Sequence, residues 1–498
     1  NTRTDEYGGS LENRLRLTRE LLEDTLDEVG DTCAVAFRFA VDEMAGPDGM
    51  QAAEEGRAVV ELLAEMPDLW DVNVSGWEND SLTTRFEPSD GFQIPYIDFV
   101  KQITSKPVVG TGRIHSTDMM ASLISKGVRD FDGAARPSIA DPFLPNKIKE
   151  GRIDDIRECI GCNVCVASDA YSVPLMCTQN PTISQEWRRG WHPENIPAAP
   201  KKESTLIIGS GPAGLECALT LAKAGHQVTV AEREPEFGGR VLKESALRGL
   251  AAWGRVKDYR LYQLRQMGNV SLYAESAIAA ADVAGFGADN VVVATGSIWR
   301  NDGAGATTFK AIEGFAGNAL TPDDVMAGAE ISGPVVIYDD DHYYMGNVLA
   351  GHLAAKGHEV HLVCPLPSIA EWMGYTLESP RVLDDMVELG VHMHPNTTVS
   401  RWNGSALEVA RADTGQELPQ IAGAHLIAVG ARLPTDDLLS KLREDPALAD
   451  CVSGIGDCLA PGIIQAAVFS GHAEARRLIG DFPESGIYKR ETPVLFDR

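Results

Sequence analysis

Cysteine is scarce in this chain: nine thiols in 498 residues, without the spacing of a disulfide framework. That excludes a small stapled secreted fold and agrees with a reducing compartment, so a cytoplasmic location is expected. Long apolar runs are missing as well. Nothing approaches the roughly eighteen consecutive apolar residues that span a bilayer, and the polar stretch Asn1 to Asp5 carries no signal-peptide core. Basic residues are outnumbered, 44 Lys and Arg against 72 Asp and Glu, for a net charge of -28. Such a surface repels phosphate backbones and anionic lipid, which argues against nucleic acid and membrane as partners; it suits a basic protein partner, but first of all it keeps a protein in solution.

What is present is unevenly placed. Four of the cysteines, Cys159, Cys162, Cys165 and Cys177, fall within nineteen residues, while Cys33, Cys217, Cys364, Cys451 and Cys458 are scattered. The spacing is C-x2-C-x2-C-x11-C. Three thiolates offset by three residues can converge on one face of a compact turn, and a fourth arriving after a loop completes four ligands. Tetrahedral sulfur ligation suits zinc or iron-sulfur. Zinc sites usually pair cysteines as two separate knuckles, whereas three consecutive ligands with a distant fourth are the pattern of a 4Fe-4S cluster. Structural zinc or a fortuitous grouping of thiols is the alternative.

A strand-turn-helix-strand sequence follows, its glycine turn starting thirty-two residues beyond Cys177. Thr205 to Ile208 reads as a strand, Gly209-Ser-Gly211-Pro-Ala-Gly214 as the turn, Leu215 to Ala224 as a helix and Gln227 to Glu232 as the second strand. In that context the three glycines mark a dinucleotide site. Gly209 permits the tight turn, Gly211 lets the backbone approach a pyrophosphate, and Gly214 lets the helix pack on the sheet. Glu232 is placed to accept from ribose hydroxyls. Gly296, after the strand Val291 to Thr295, and Asp457, in Gly454-Ile-Gly-Asp457, resemble further nucleotide contacts of flavoprotein disulfide-reductase-like domains, although both are also ordinary turn residues.

A similar alternation restarts at Gly333-Pro-Val-Val-Ile-Tyr338, passes a helix around Asn347 to Lys356, and reaches His358-Glu-Val-His-Leu-Val363. Its turn reads Tyr338-Asp-Asp-Asp341-His-Tyr-Tyr-Met-Gly346. Three carboxylates repel a phosphate and the glycine spacing is absent, so a second dinucleotide, NAD(P)H in particular, is not expected there in the usual way.

Residues 1–150 read as four strand-then-helix units, with strands at 34–39, 69–74, 107–110 and 128–131. This implies a parallel sheet forming the C-terminal half of an eight-fold β/α barrel. Because the chain opens on loop-like residues without an initiating Met, it is expected to be a fragment whose first half-barrel lies upstream. The fold class is therefore α/β. The half-barrel spans 1–150, a cluster segment and Pro-rich linker 151–200, and a Rossmann-like nucleotide domain 201–330 plus 421–498. A module with a degenerate site is inserted at 331–420.

Several stretches resemble the trimethylamine, dimethylamine and histamine dehydrogenases, iron-sulfur flavoproteins with an old-yellow-enzyme-type barrel. They are Asp5-Glu-Tyr-Gly-Gly-Ser-Leu-Glu-Asn-Arg14, Gly133-Ala-Ala-Arg-Pro-Ser-Ile-Ala-Asp-Pro-Phe143, Cys159-Ile-Gly-Cys-Asn-Val-Cys165 and Trp187-Arg-Arg-Gly-Trp-His-Pro193. Glu244 to Lys257 and Asp339 to Tyr344 look closest to histamine dehydrogenase. The resemblance implies FMN in the barrel, a 4Fe-4S cluster, and ADP (or FAD) in the nucleotide domain. It implies oxidation of a small amine, with the iminium hydrolysing to an aldehyde plus ammonia or a smaller amine. Electrons leave singly, commonly to an electron-transfer flavoprotein, and a homodimer is expected.

By the same resemblance Arg38 faces the flavin, where a fixed cation would stabilise its anionic reduced form; read alone, Arg38 is an arginine in an ion pair. Trp77 and Asp80 are the catalytic candidates, an aromatic face for an ammonium and a carboxylate that pairs with a catalytic histidine. Gly112, Arg113, Ala135 and Arg136 would cradle the FMN phosphate. The family's flavin-linking cysteine and catalytic Tyr and His fall before Asn1, so this chain alone is not expected to turn over. Two residues depart from the family: Asp132, a carboxylate in a strand that would be costly unless paired, and Arg255, where trimethylamine dehydrogenase has a tyrosine in its electron-exit groove. A dienoyl-CoA-reductase-like enoyl reductase and a non-catalytic fragment carrying only cluster and nucleotide are the competing functions.

Overall fold

The β-forming runs of the first 150 residues become four parallel strands, β1 (Ala36–Asp42), β2 (Leu69–Val74), β3 (Val108–Gly110) and β4 (Phe131–Asp132), in that spatial order. The computed structural model describes residues 3–74, 76, 91–112, 114 and 116–482. It divides into two units, Asn1–Ser138 with Phe143–Ile153 and Ile139–Pro142 with Asp154–Arg498.

In the first unit, α1 (Leu11–Val29) starts where Ser10 Oγ accepts from Asn13 N at 3.3 Å, a side-chain cap for an otherwise orphaned amide. With α2 (Arg57–Leu63) it covers one face of the sheet. Leu15, Leu22, Val59, Val60 and Leu63 pack on Phe37, Phe39, Val41, Trp70, Val72 and Val108. Strand side chains alternate between faces, so Arg38, paired in register with Asp71, stands on the opposite face. Strand β1 runs three residues beyond the expected end, because Ala40 and Asp42 continue the ladder onto Asn73 and Val74. Arg38 is consequently a mid-strand residue. A third helix, α3 (Thr117–Ser125), is capped by Ser116, and α4 (Ala135–Ala140) follows β4.

The second unit begins with α5 (Val164–Ala170) in the cysteine segment. Then come β5 (Ser204–Ile208), α6 (Pro212–Ala224), β6 (Gln227–Ala231), α7 (Arg255–Arg265), β7 (Val270–Tyr273), β8 (Asn290–Val293) and the short β9 (Ser297–Trp299). The insertion supplies β10 (Val335–Asp339), α8 (Met345–Ala354), β11 (Val360–Val363), α9 (Ser379–Glu388) and β12 (His392–His394). It continues through an antiparallel meander of β13 (Thr397–Trp402), β14 (Ala406–Arg411) and β15 (Glu417–Ala422), and ends in β16 (His425–Val429). The chain returns through β17 (Arg432–Pro434), β18 (Val452–Gly454) and α10 (Ile464–Leu478).

Two parallel sheets result, β18-β8-β5-β6-β7 and β12-β11-β10-β16, with β9 and β17 forming an antiparallel pair at the junction. The insertion is wider than the 331–420 span read from sequence. Strand β16 pairs with β10 from Val335↔His425 to Asp339↔Val429, and Ile312, Phe315 and Ala319 join Tyr338 and Trp402 in its core. β16 arrives only after the meander, so strand-helix alternation does not reveal which sheet it completes. Among the described residues, no helix is long and apolar enough to cross a membrane.

A buried polar network fastens the cysteine segment to the nucleotide domain. Arg260 donates from Nε to Glu216 Oε2 at 2.7 Å and from Nη1 to Gln179 Oε1 at 2.9 Å, and His472 Nδ1 lies 2.9 Å from Glu216 Oε1. Burial alone would raise the Glu216 carboxyl, but Arg260 and His472 outweigh it and hold it at about 2. Removing one partner would leave an uncompensated buried charge.

Candidate functional site

The cysteine segment folds back on itself through two left-handed residues, Gly161 (φ 65°) and Asn163 (φ 52°). Asn163 tolerates that conformation with its side chain buried and Nδ2 donating to Thr376 O at 3.0 Å. Gly161 N donates to Cys159 Sγ at 3.4 Å, and Cys162 Sγ lies 3.1 Å from Thr178 Oγ1, beside Cys177. Burial pushes the Cys162 thiol up to about 11, with the charge of Cys159 adding to it. Cys177 is raised further, first by burial and then by Cys162 and Cys159. The thiolate form is thus disfavoured at Cys162 and Cys177, and a bound cation is what stabilises thiolates in such surroundings.

The donor set also has a size. Among the described residues, no three of the four cysteine sulfurs fall within 4.8 Å of one another. Tetrahedral zinc-thiolate bonds of about 2.3 Å would place them only about 3.8 Å apart. Arg255, at the start of α7, pairs through Nε with Glu158 Oε2 at 2.9 Å, immediately before Cys159. An ion pair thus stands where the family resemblance places an aromatic ring.

The glycine turn after β5 takes the shape its sequence requires. A Cβ on Gly209 (φ 105°) would meet Ala294 O at 2.4 Å, and one on Gly214 would meet Gly209 O at 2.1 Å. Gly211 faces open space, with nothing within 4 Å of a built Cβ, and no side chain caps the first amides of α6. Uncapped helix amides beside an open glycine are the kind of arrangement in which a phosphate can be held. Glu232 is buried at the end of β6, where Oε2 accepts from Ser210 N at 2.9 Å and Ser210 Oγ at 2.6 Å, and Oε1 accepts from Glu234 N at 3.0 Å. It therefore pins the turn from the end of the next strand.

The sequence reading passed over a second glycine pair, Gly238 (φ 129°) and Gly239 (φ 57°), which closes over the first. Gly238 N donates to Ser210 O at 3.1 Å, and a Cβ on Gly239 would come within 3.0 Å of Gly211 Cα. Two adjacent glycines soon after Glu232 were the available signal. Gly296 has φ 79° with open space around it. Asp457 accepts from Ser297 Oγ at 2.8 Å, Arg432 Nη1 at 2.7 Å and Gly462 N at 3.1 Å, a fastening between the β9/β17 junction and the turn after β18.

In the first unit Arg38 pairs with Asp71 at 3.0 Å on the face of the sheet opposite α1 and α2, helix-free among the described residues. Gly112 (φ 125°) packs so closely on Gln93 that a Cβ would fall 2.6 Å from the Gln93 Cβ. Gln93, another residue the sequence did not single out, accepts from Val74 N at 3.2 Å and lies 3.2 Å from Thr111 Oγ1, tying the ends of β2 and β3 together. Gly133 N donates to Gly110 O at 2.9 Å, so the turn after β4, leading to Ala135 and Arg136 in α4, is held against the turn after β3. Trp77, Asp80 and Arg113 lie outside the described residues. Asp132 is paired: the buried Arg129 reaches it at 3.4 Å and Asp98 at 2.6 Å. Burial still raises both carboxyls, Arg129 opposing it.

The aspartate turn of the insertion is closed by its own carboxylates. Asp339 Oδ1 accepts from the amides of Asp341 and His342, both at 3.1 Å. Asp340 accepts from Thr307 N at 3.1 Å, Thr307 Oγ1 at 2.5 Å and Thr308 N at 2.7 Å. His342 Nε2 lies 2.8 Å from Asp340 Oδ1 without the alignment of a hydrogen bond. Burial and the neighbouring Asp341 raise Asp339 to about 7, and burial raises Asp341 to about 6.

Three regions of the chain match family models: residues 1–155 the NADH:flavin oxidoreductase / NADH oxidase family, residues 203–316 pyridine nucleotide-disulphide oxidoreductase, and residues 320–417 the OYE-like second alpha/beta domain. Dimethylamine dehydrogenase of Hyphomicrobium sp. (strain x) is 37% identical over 99% of this chain and 71% of its own length. The structure of 6-hydroxypseudooxynicotine amine oxidase from Pseudomonas geniculata N1 is 48% identical with a TM-score of 0.93, covering 96% of this chain and 72% of that one. Histamine dehydrogenase from Rhizobium sp. 4-9 is 43% identical with a TM-score of 0.95, covering 100% of this chain and 73% of that one.

Proposed function

Since this chain belongs to the family of the dimethylamine and histamine dehydrogenases, flavoprotein oxidoreductases that act on amines, we propose that it serves oxidation of a small amine at FMN, with electrons leaving one at a time through a 4Fe-4S cluster. The amine loses two electrons and two protons, and water completes the product as an aldehyde plus ammonia or a smaller amine. Histamine, 6-hydroxypseudooxynicotine and dimethylamine are the substrates to test, these being the amines named for the relatives.

FMN supplies a two-electron acceptor, and the cluster on Cys159, Cys162, Cys165 and Cys177 supplies a one-electron exit. The chain's own part is to hold them. The turns at Gly112 and Gly133 to Arg136 lie after β3 and β4, where barrels bind phosphate. Arg38 presents a cation on the helix-free face, and the glycine turn at Gly209 suits ADP or FAD. A soluble acceptor such as an electron-transfer flavoprotein, a homodimeric assembly and a cytoplasmic setting complete the proposal.

One observation carries the direction of electron flow: the nucleotide turn of the insertion is filled by Asp339 and Asp340, while the turn at Gly209 is open. An enoyl reductase with this architecture would need the insertion to take NAD(P)H. Anaerobic titration of the full-length flavoprotein tests the choice. Bleaching of the flavin by one of the three amines but not by NADH or NADPH is expected, and bleaching by NADH or NADPH without a response to amines would overturn the reading.

A further inference from the structure

The edge of the insertion's parallel sheet carries a cluster that the redox chemistry does not use. Side chains two apart on a strand share a face, and β11 pairs with β12 in the register His361↔His392 and Val363↔His394. Glu359, immediately before β11, and His361 therefore stand beside His392 and His394 of the edge strand. The structure brings these side chains into contact. Ligand atoms of Glu359, His361 and His392 all lie within 4.8 Å of one another. The His361 ring stacks against those of His392 (centroids 4.7 Å) and His394 (5.3 Å). His361 Nε2 is 3.4 Å from Glu359 Oε1, and His361 Nδ1 is 3.1 Å from His394 Nε2.

We propose that Glu359, His361 and His392 form a binding site for a divalent transition-metal ion of the zinc, copper or nickel class. His394 is the positioning residue behind it. Two imidazoles and one carboxylate with a solvent-facing fourth position are a donor set for these ions rather than for magnesium or calcium, which take oxygen ligands. The two nitrogens of His361 divide the work. Nε2 faces the carboxylate and the metal position, while Nδ1 engages His394, and a ligating histidine typically has its other nitrogen held by such a partner. Ligands on two adjacent strands would make the ion a staple for β12, an edge strand with no partner on its outer side among the described residues.

The flavin- and cluster-loaded protein, stripped of loose metal with a mild chelator, is titrated with Zn2+. Bound zinc and iron are then counted by atomic emission after gel filtration. The wild type is expected to hold one equivalent of zinc with its iron unchanged, and to hold none when Mg2+ replaces Zn2+. His392→Ala, at an exposed position, and Glu359→Gln should weaken zinc binding, the former by about 100-fold or more. His394→Ala should keep the one-equivalent stoichiometry at roughly 10- to 100-fold lower affinity. Equal zinc content in the wild type and in the His361→Ala/His392→Ala double variant would overturn the site. Unchanged affinity in His394→Ala would overturn the positioning role.

Discussion

The turn after β5 and the turn after β10 occupy the same place in two copies of one strand-helix-strand plan, and they treat their backbone amides in opposite ways. After β5 three glycines clear the space, Gly211 faces nothing within 4 Å, and the one acidic side chain at the turn, Glu232, reaches in from the end of the next strand. After β10 the acids sit in the turn itself. Asp339 takes the amides of Asp341 and His342, and Asp340 is taken by Thr307 and Thr308. The insertion even keeps a glycine for this purpose: a Cβ on Gly346, in the first turn of α8, would lie 2.3 Å from Asp339 Oδ2. No side chain caps the helix after either turn, so a turn on this plan can be left open to a ligand's phosphate or be filled by the chain's own carboxylates. The nucleotide-binding plan alone does not say which.

The sharpest way to break the comparison is to close the open turn. Gly214→Ala places a methyl 2.1 Å from a backbone oxygen, which cannot rotate away. It should cost about 3 kcal/mol and strip the nucleotide, read as ADP or FAD released on denaturation. Gly346→Ala, whose methyl meets a side chain instead, should destabilise while leaving nucleotide content unchanged. Loss of nucleotide from both variants, or from neither, would erase the distinction.

Next in size is the pH dependence of the closed turn. Asp339 titrates at about 7 when folded, against a reference of 3.8, because burial and Asp341 disfavour its charge. The folded state therefore holds the extra proton between those values. Its stabilising contribution is complete below the reference value and is lost as pH rises through 7, on the order of 2–4 kcal/mol for a buried group. Asp339→Asn removes that loss, so its urea midpoint should exceed that of the wild type at pH 8 and approach it at pH 5. Glu232→Gln tests the open turn in the same terms. With Ser210 N, Ser210 Oγ and Glu234 N facing a neutral amide, we expect a loss of about 1–2 kcal/mol and roughly 10-fold weaker nucleotide retention.

How much of this was legible depended on the range of the signal. The strand Leu69–Val74 and the unit from Thr205 to Glu232 are local patterns, and each keeps its place in the fold. Long-range pairing was hidden. Nothing local assigns β16 to the insertion's sheet or carries β1 on to Asp42. Nor could the sequence show that His361, His392 and His394 meet, since only the parallel register of β11 and β12 aligns them. The aspartate turn was read for its charge, as a repulsion of phosphate. Its hydrogen-bond partners are Thr307 and Thr308, more than thirty residues earlier, and those made the difference between a repelled ligand and a filled site.

The smallest effect probes that filling directly. Thr307→Val removes a hydroxyl that donates to Asp340 Oδ1 at 2.5 Å, yet leaves the Thr307 and Thr308 amides, at 3.1 and 2.7 Å, still holding the carboxylate. Burial opposes the charge on Asp340 and its hydrogen-bond donors lower its pKa in spite of that, so losing one of several donors should cost only about 1 kcal/mol. In thermal melts this is a shift of roughly 1–3 °C. The turn should stay shut, and the flavin should remain inert to NADH, because two amides still hold the Asp340 carboxylate in the turn. If so light a change let NADH reduce the flavin, the two turns would differ by occupancy alone, and the insertion would be a dormant nucleotide site rather than a closed one.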